Sequence, residues 1–213
     1  MTGMTVDVYS DLACPWCYVG KRNLDNAIHK YPTDNPGVSA TVHWHPYIID
    51  KNTAKHGENY MDYNIRRWGG DGWTQSLRKS GKKIGLEFKN WQTWPNTLHG
   101  HRLIHLAGEQ QGPKGQNAAK HLLFSMIYEE GRNISEIDTL IEAAHKLHLE
   151  GADEYLKSNK DTDVILSADA NAKKSLKISG VPYFIVRDKQ RSYTLSGAQP
   201  SDNILQVLGH LKH

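Results

Sequence analysis

Hydrophobic residues follow two different periods along this chain, and the changes between them divide it into three parts. At the start, the sequence VDVY at residues 6–9 is typical of a short strand, and apolar side chains at helical spacing over residues 15–30 predict a helix. Residues 38–46 alternate apolar and polar side chains, which predicts a second strand. The first part is therefore a strand, a helix and a strand.

In the middle part, residues 58–161, the pattern is helical throughout. Apolar residues fall on one face over 118–127 and again over 137–147, as in amphipathic helices that bury one side. Turns between the helices are predicted at glycines, because glycine adopts turn conformations at no steric cost. These glycines are Gly69, Gly70, Gly72, Gly108, Gly112, Gly115, Gly131 and Gly151.

The last part returns to the strand pattern of the beginning. Its predicted elements are a helix over residues 163–178, strands over 183–186 and 192–195, and a final helix from Pro200.

Strands at both ends of the chain predict an α/β fold in which one central mixed sheet is flanked by helices. We expect residues 1–57 and 162–213 to form this sheet domain together. Residues 58–161 would then be a large inserted all-helical subdomain.

Length and charge narrow the class of protein further. At 213 residues the chain is long enough for one domain with a sizeable core and a large insertion. Its formal net charge of +3 is small, and basic residues alternate with acidic ones, so nucleic-acid binding is not indicated. The sequence has no run of about 18 apolar residues, and residues 1–9 lack the pattern of a secretion signal. We expect a soluble cytoplasmic protein without a membrane partner.

The chain has 2 cysteines, Cys14 and Cys17, in the motif CPWC. A bridge between them would close almost no loop, so a purely structural role is not favoured. The motif lies where the first strand passes into the first helix, and Pro15 suits the first helical position. Amide groups and the helix dipole favour a thiolate there, so Cys14 is the predicted nucleophile and Cys17 the resolving thiol. The pKa of Cys14 is expected to fall to about 3.5 to 7.5.

The alternative chemistry for such a pair is half of a zinc site, which would need two further ligands. The sequence has no second CxxC motif, and the histidine pairs His43 with His45 and His101 with His105 are the remaining candidates. We interpret these histidines as surface or partly buried polar residues and predict no metal.

Charged residues around the cysteines leave other questions open. Asp11 lies three residues before Cys14, where it could tune the pKa of the thiol, relay a proton or cap the turn. Lys21 and Arg22 follow Cys17 on the predicted helix, and we expect both to point to water.

Several ordered motifs resemble one known family. They are SDLACPWCYVG at 10–20, Asn96-Thr97 with His101-Arg102, GVPYF at 180–184 and SGAQP at 196–200. With them the chain resembles the DsbA-like branch of the thioredoxin superfamily, most closely the FrnE-like group, which is related to 2-hydroxychromene-2-carboxylate isomerase and kappa-class glutathione transferase.

The resemblance implies a thioredoxin-like fold and a cis peptide bond between Val181 and Pro182, beside the redox pair. Trp16, Val181 and Pro182 would then bind substrate, with the backbone of Val181 pairing with an extended chain. Asn96, Thr97 and His101 match a family motif whose role the sequence does not assign.

Together these features predict a thiol–disulfide oxidoreductase or disulfide isomerase that acts on protein or small-molecule thiols and disulfides. No tightly bound cofactor is expected, and glutathione is a candidate co-substrate. DsbA itself carries a histidine where this chain has Trp16, so a thiolate less stabilised than in DsbA, and a lower reduction potential, are expected.

Two other functions stay open at this point, and the sequence leaves the oligomeric state open as well. A glutathione-dependent isomerase or transferase of this fold would typically have serine at position 14 and no second cysteine. A non-enzymatic, chaperone-like binding protein would use the aromatic residues of the insertion, which could equally form a groove or a core of their own. These residues are Tyr60, Tyr63, Trp68, Trp73, Trp91 and Trp94.

Overall fold

The computed structural model describes residues 3–34 and 39–211. Val38, the predicted first residue of the second strand, lies outside this part of the chain. In chain order the elements are β1 (Gly3–Ser10), α1 (Pro15–Asp34), β2 (Ser39–Pro46), β3 (Glu58–Asn59), α2 (Tyr60–Trp68), α3 (Thr74–Lys82), β4 (Thr93–Trp94), α4 (Leu98–Tyr128), α5 (Ile137–Lys146), α6 (Ala152–Lys157), α7 (Thr162–Lys174), β5 (Tyr183–Arg187), β6 (Ser192–Ser196) and α8 (Ser201–His210).

The main sheet has four strands in the order β2-β1-β5-β6. β1 pairs in parallel with β2, with Val8 opposite Trp44, and antiparallel with β5, with Val8 opposite Phe184. β5 pairs antiparallel with β6. The sheet is therefore mixed, and the predicted α/β fold of thioredoxin type is confirmed. Val8, on this central strand, is fully buried in the core.

The inserted segment is mainly helical but also contains a small two-stranded sheet, β3 with β4, that the sequence did not predict. The predicted turns at Gly108 and Gly115 are wrong, since both residues lie inside α4. Only Gly112, at φ 65°, breaks this helix, and Pro113 follows it. Proline suits the first turn of the second helical half, where its missing N–H removes no helical hydrogen bond.

One apolar core extends from the sheet into the insertion and includes Leu24 of α1 and Leu103 and Phe124 of α4. Helix α4 also packs on the loop between β1 and α1. A Cβ atom at Gly100 would lie 2.6 Å from Leu12 Cδ1, so a larger residue there would have to displace the Leu12 side chain. The predicted division at residues 58 and 161 stays a prediction.

Within residues 3–34 and 39–211, no helix is both long and apolar enough to cross a membrane. The cytoplasmic location stays a prediction.

Candidate active site

The two cysteines lie where β1 ends and α1 begins. The Cys14 amide donates to the Asp11 carbonyl at 3.3 Å, and the Cys17 amide donates to the Cys14 carbonyl at 3.0 Å. Pro15 is the first residue of α1, as predicted. This backbone arrangement places both side chains on the first turn of one helix.

Burial distinguishes the two thiols. Cys14 is 8% exposed whereas Cys17 is fully buried, and both are free. A substrate sulfur can therefore reach Cys14 first and Cys17 only through it. This difference agrees with a nucleophilic Cys14 and a resolving Cys17.

The predicted low pKa of Cys14 is wrong in direction. The hydrogen bond with the Cys17 thiol and the burial of the site raise the pKa of Cys14 well above its usual value. Position at a helix N-terminus favours a thiolate, but the neighbouring sulfur and the loss of water have the larger effect here.

A loop before β5 faces the pair. The peptide bond between Val181 and Pro182 is cis, and the Cys14 thiol donates to the Val181 carbonyl at an Sγ–O distance of 3.6 Å. Gly20 of α1 allows this approach, because a Cβ atom there would lie 2.8 Å from Pro182 Cγ. The Pro182 carbonyl accepts from the Gly197 amide at 2.8 Å, which ties the loop to the end of β6.

Asp11 is fully buried directly behind the pair. Its carboxylate accepts from His101 Nε2 at 3.1 Å and from the Ile49 amide at 2.8 Å. Burial opposes ionisation, but these hydrogen bonds, the charge interaction with His101 and a hydrogen bond from Thr97 outweigh it and lower the pKa of Asp11. The Asp11 side chain thus bonds to residues outside its own turn.

These contacts give a structural role to the family motif that the sequence left unassigned. Thr97, directly before α4, and His101, near the start of that helix, both bond to Asp11. The Asn96 side chain donates to the Thr53 carbonyl at 3.0 Å and accepts from the Leu98 amide at 3.3 Å. Together they fix the start of α4 against the active-site loop.

An aromatic groove of about 620 Å³ opens beside Trp16 and is also lined by Trp68 and Trp73. Trp68 is 47% exposed, whereas Trp91 and Trp94 are buried in the core. The aromatic residues of the insertion are therefore divided: some belong to the core, and others line the groove beside Trp16.

Two buried groups near the pair were missed by the sequence reasoning. Lys120 of α4 donates to the Ser10 carbonyl at 3.3 Å, and Tyr128 donates to the Leu12 carbonyl at 2.9 Å. A signal for Lys120 exists, because it interrupts the apolar stripe formed by Leu123, Phe124 and Ile127 on the same helical face.

Other charged residues near the cysteines form side-chain pairs with acidic residues. The prediction that Lys21 points to water is wrong, since its side chain is 1% exposed and its Nζ lies 2.6 Å from Asp25 Oδ2. His45 Nε2 lies 2.7 Å from Asp7 Oδ1, and its ring stacks on Tyr9. Among the described residues, no three cysteine, histidine or acidic side chains converge as metal ligands would.

Two cysteines at a strand-to-helix junction, faced by a cis-proline loop on a mixed sheet, are arranged as in proteins of thioredoxin fold. A profile of the DSBA-like thioredoxin domain matches residues 5–209. The chain therefore belongs to the DSBA-like thioredoxin domain family.

Individual relatives agree with this assignment. The uncharacterized protein YwbO of Bacillus subtilis is 28% identical over 187 residues, which is 86% of each chain. A probable DsbA oxidoreductase of Streptomyces coelicolor is similar in structure, with a TM-score of 0.80 and 25% identity over 98% of this chain and 89% of that one. The cytosolic disulfide reductase DsbM of Pseudomonas aeruginosa, solved with GSH, shares the fold, with a TM-score of 0.68 and 18% identity over 98% of this chain and 100% of that one.

Proposed function

We propose that this protein exchanges electrons between its Cys14–Cys17 pair and the thiols or disulfides of proteins or small molecules. The observation that carries the proposal is the difference in burial between the two neighbouring sulfurs. The Cys14 thiol, 8% exposed, contacts the Val181 carbonyl, and the fully buried Cys17 lies within hydrogen-bond reach of Cys14.

The exchange takes place in two steps. The Cys14 thiolate attacks one sulfur of a substrate disulfide, the substrate S–S bond breaks, and the second substrate sulfur leaves with the electron pair and takes up a proton. Cys17 then loses its proton and attacks Cys14 Sγ, which releases the first substrate sulfur as a thiol. The substrate is reduced by two electrons, and the Cys14–Cys17 disulfide forms.

Reduction or isomerisation, rather than strong oxidation, is the proposed direction. Strong oxidants of this family have a reduced form that is stabilised as thiolate. Trp16 supplies no charge for this purpose, and the neighbouring Cys17 thiol and burial raise the pKa of Cys14. Both features leave the reduced pair reactive as an electron donor.

The groove beside Trp16 supports apolar peptide segments as substrates, because its walls are tryptophan side chains and glycine backbone. Glutathione is the proposed small-molecule partner, supported by the DsbM structure that was solved with GSH. A cytoplasmic place of action is part of the same proposal.

The test is the reduction of a protein disulfide with glutathione as electron donor. Wild-type protein should turn over many times, and Cys14→Ser should show no more than the uncatalysed rate. Cys17→Ser should accumulate the Cys14 mixed disulfide, because only glutathione is left to release the substrate from it. Unchanged turnover in Cys14→Ser would refute the proposal. Circular dichroism of both variants checks that each is folded.

A chaperone-like activity is a second candidate, favoured by one observation. Met61, Ile65 and Trp68 share a face of α2 and are 41%, 56% and 47% exposed. Suppression of aggregation of an unfolded protein by the double variant Cys14→Ser, Cys17→Ser would support this activity, and its absence would exclude it.

A further inference from the structure

Tyr128, the last residue of α4, contacts the chain on both sides of the cysteine motif. The residue is fully buried, and its hydroxyl donates to the Leu12 carbonyl at 2.9 Å. Its ring stacks on the ring of Tyr18, with centroids 5.7 Å apart and an angle of 15° between the planes. Leu12 lies shortly before Cys14, and Tyr18 directly follows Cys17. One side chain of the insertion therefore holds both flanks of the redox pair.

The hydroxyl of Tyr128 acts on the middle of a turn. The Cys14 amide donates to the Asp11 carbonyl at 3.3 Å, so residues 11–14 form a turn whose central peptide contains the Leu12 carbonyl. Rotation of the central peptide converts one turn type into another and changes the backbone angles on either side of it. Because Tyr128 binds the carbonyl of that peptide, it fixes the direction in which the chain enters Cys14.

The ring of Tyr128 is itself held by the loop between α3 and β4. Phe88 and Trp91 of that loop pack edge-on against it, with centroids at 5.4 Å and 5.0 Å. The backbone carbonyl of Tyr128 also accepts from the Asn90 amide at 3.3 Å. The hydroxyl therefore has a fixed place relative to the insertion, and it transmits that position to the turn before Cys14.

The position of Cys14 matters because its thiol donates to the Val181 carbonyl at an Sγ–O distance of 3.6 Å. We propose that Tyr128 is a positioning residue of the redox site, which holds the turn before Cys14 so that the thiol meets an incoming disulfide beside Val181. This role rests on the proposed function and adds to it a part for the end of α4.

The proposed role predicts a change in rate without a change in binding. Displacement of a reacting group by about 1 Å can slow a reaction about a hundredfold. Loss of the Tyr128 hydroxyl should therefore slow the attack of Cys14 on a disulfide. Substrate binding should not change, because other residues form the groove beside Trp16.

The experiment compares Tyr128→Phe with Tyr31→Phe in the full chain. Tyr31 is a matched control, since it is 3% exposed and its hydroxyl donates to the Leu208 carbonyl at 3.1 Å from the distal half of α1. Each variant loses one buried hydrogen bond to a backbone carbonyl, so the unfolding equilibrium constant should rise about fivefold or more in both. Urea unfolding measures this change. If either variant does not fold alone, both are studied in sucrose, which stabilises folded proteins through its exclusion from their surface.

Single-turnover reaction of the reduced protein with an apolar peptide disulfide separates attack from binding. In Tyr128→Phe the limiting rate should fall about tenfold or more, and the half-saturating peptide concentration should stay within about twofold of wild type. Hydrogen exchange followed by NMR should show about tenfold lower protection of the Cys14 amide, because the turn opens more often. Tyr31→Phe should match wild type within about twofold in all three quantities.

Three results would refute the positioning role. The first is a limiting rate and a Cys14 amide protection within about twofold of wild type in Tyr128→Phe, despite its lower stability. The second is an equal loss of rate in Tyr128→Phe and Tyr31→Phe. The third is a higher half-saturating concentration with an unchanged limiting rate.

The same measurements separate this inference from the proposed function. Unimpaired attack and protection in Tyr128→Phe, together with exchange that still requires Cys14, would overturn the positioning role alone. Absence of Cys14-dependent exchange in the wild type would overturn the proposed function. In that case a selective loss of Cys14 amide protection in Tyr128→Phe would still support the hold on the turn, and equal protection in both variants would overturn it.

Discussion

The redox pair has two sides of opposite character. On the outer side, the Cys14 thiol donates to the Val181 carbonyl, and an open, mainly apolar groove lies beside the neighbouring Trp16. On the inner side, Asp11, His101 and Lys120 are buried and charged or hydrogen-bonded.

The difference separates two tasks that share one pair of sulfurs. Groups on the outer side are placed to hold a substrate against Cys14, so changes there should alter KM or the geometry of attack. Groups on the inner side are placed to control which atoms carry protons, so changes there should alter pH dependence and stability. The first turn of α1 is the boundary between the two sides.

The largest expected effect comes from Cys17, which lies on that boundary. Cys17→Ser should lower multiple-turnover exchange at least about a thousandfold, or about 4 kcal/mol in activation free energy. The Cys14 mixed disulfide should accumulate, which intact-mass spectrometry detects. A variant that turns over normally without accumulation would show that the buried thiol is not needed to release substrate.

On the outer side, Gly20→Ala tests the close contact between α1 and the Val181–Pro182 loop. The new Cβ atom would lie 2.8 Å from Pro182 Cγ, so the loop must move away from Cys14. We expect a loss of about 1–3 kcal/mol in the free energy of unfolding, typical of overpacking, and a lower kcat/KM. Gly180→Ala, in the same loop but with open space around it, is the control and should change stability little. Equal effects of both would contradict the contact argument.

On the inner side, the Asp11–His101 pair predicts how stability depends on pH. Burial lowers the pKa of His101 in the folded protein, so the unfolded chain binds the proton first. Stability from His101 should therefore be complete above about pH 6.5 and should decline as the pH falls below that value. The lowered pKa of Asp11 adds a further loss as the pH falls below about 3.8, its ordinary value, toward its lower folded value.

Urea unfolding at pH 7.5 and pH 5.5 measures the His101 contribution. Wild type should be less stable at pH 5.5. His101→Gln should be destabilised by about 1–2 kcal/mol at pH 7.5, through the lost hydrogen bond, and should depend less on pH. An equal decline in both proteins would place the titrating group elsewhere.

The smallest effect is expected for Trp68→Ala on the outer side. Trp68 is 47% exposed, but its ring packs edge-on against Tyr63, Trp73 and Trp94, so the free energy of unfolding should fall by about 1 kcal/mol. Loss of one aromatic contact, about 0.5–1.5 kcal/mol, should raise KM for a peptide disulfide about threefold without changing kcat. A change in kcat with constant KM would place Trp68 outside the substrate groove.

Local signals in the sequence predicted the outer side well. The hydrophobic period, together with proline and glycine at the ends of elements, predicted three elements: the strand before Cys14, the helix from Pro15 and the strand after Pro182. All three are present. The two-residue strands β3 and β4 are too short to show any period. Gly108 and Gly115 resemble turn signals, but packing keeps both of them helical.

The inner side depends on contacts between distant residues, which no local pattern contains. Asp11 and His101 are 90 positions apart, and Lys120 and Ser10 are 110 apart. The same limitation explains the error at Lys21, whose burial comes from packing near Trp44 and not from its own helix. The direction of the Cys14 pKa was missed because burial and the second thiol outweigh the helix terminus.

The contact between Cys14 and Val181 also has a consequence for biosynthesis, because 167 positions separate the two residues. At roughly 5–20 residues per second, a ribosome needs about 8–30 s to add that stretch of chain. The nascent protein therefore carries both thiols well before the carbonyl that faces them is made. During that interval the two cysteines can react with other thiols before the loop that contains Val181 and Pro182 is present.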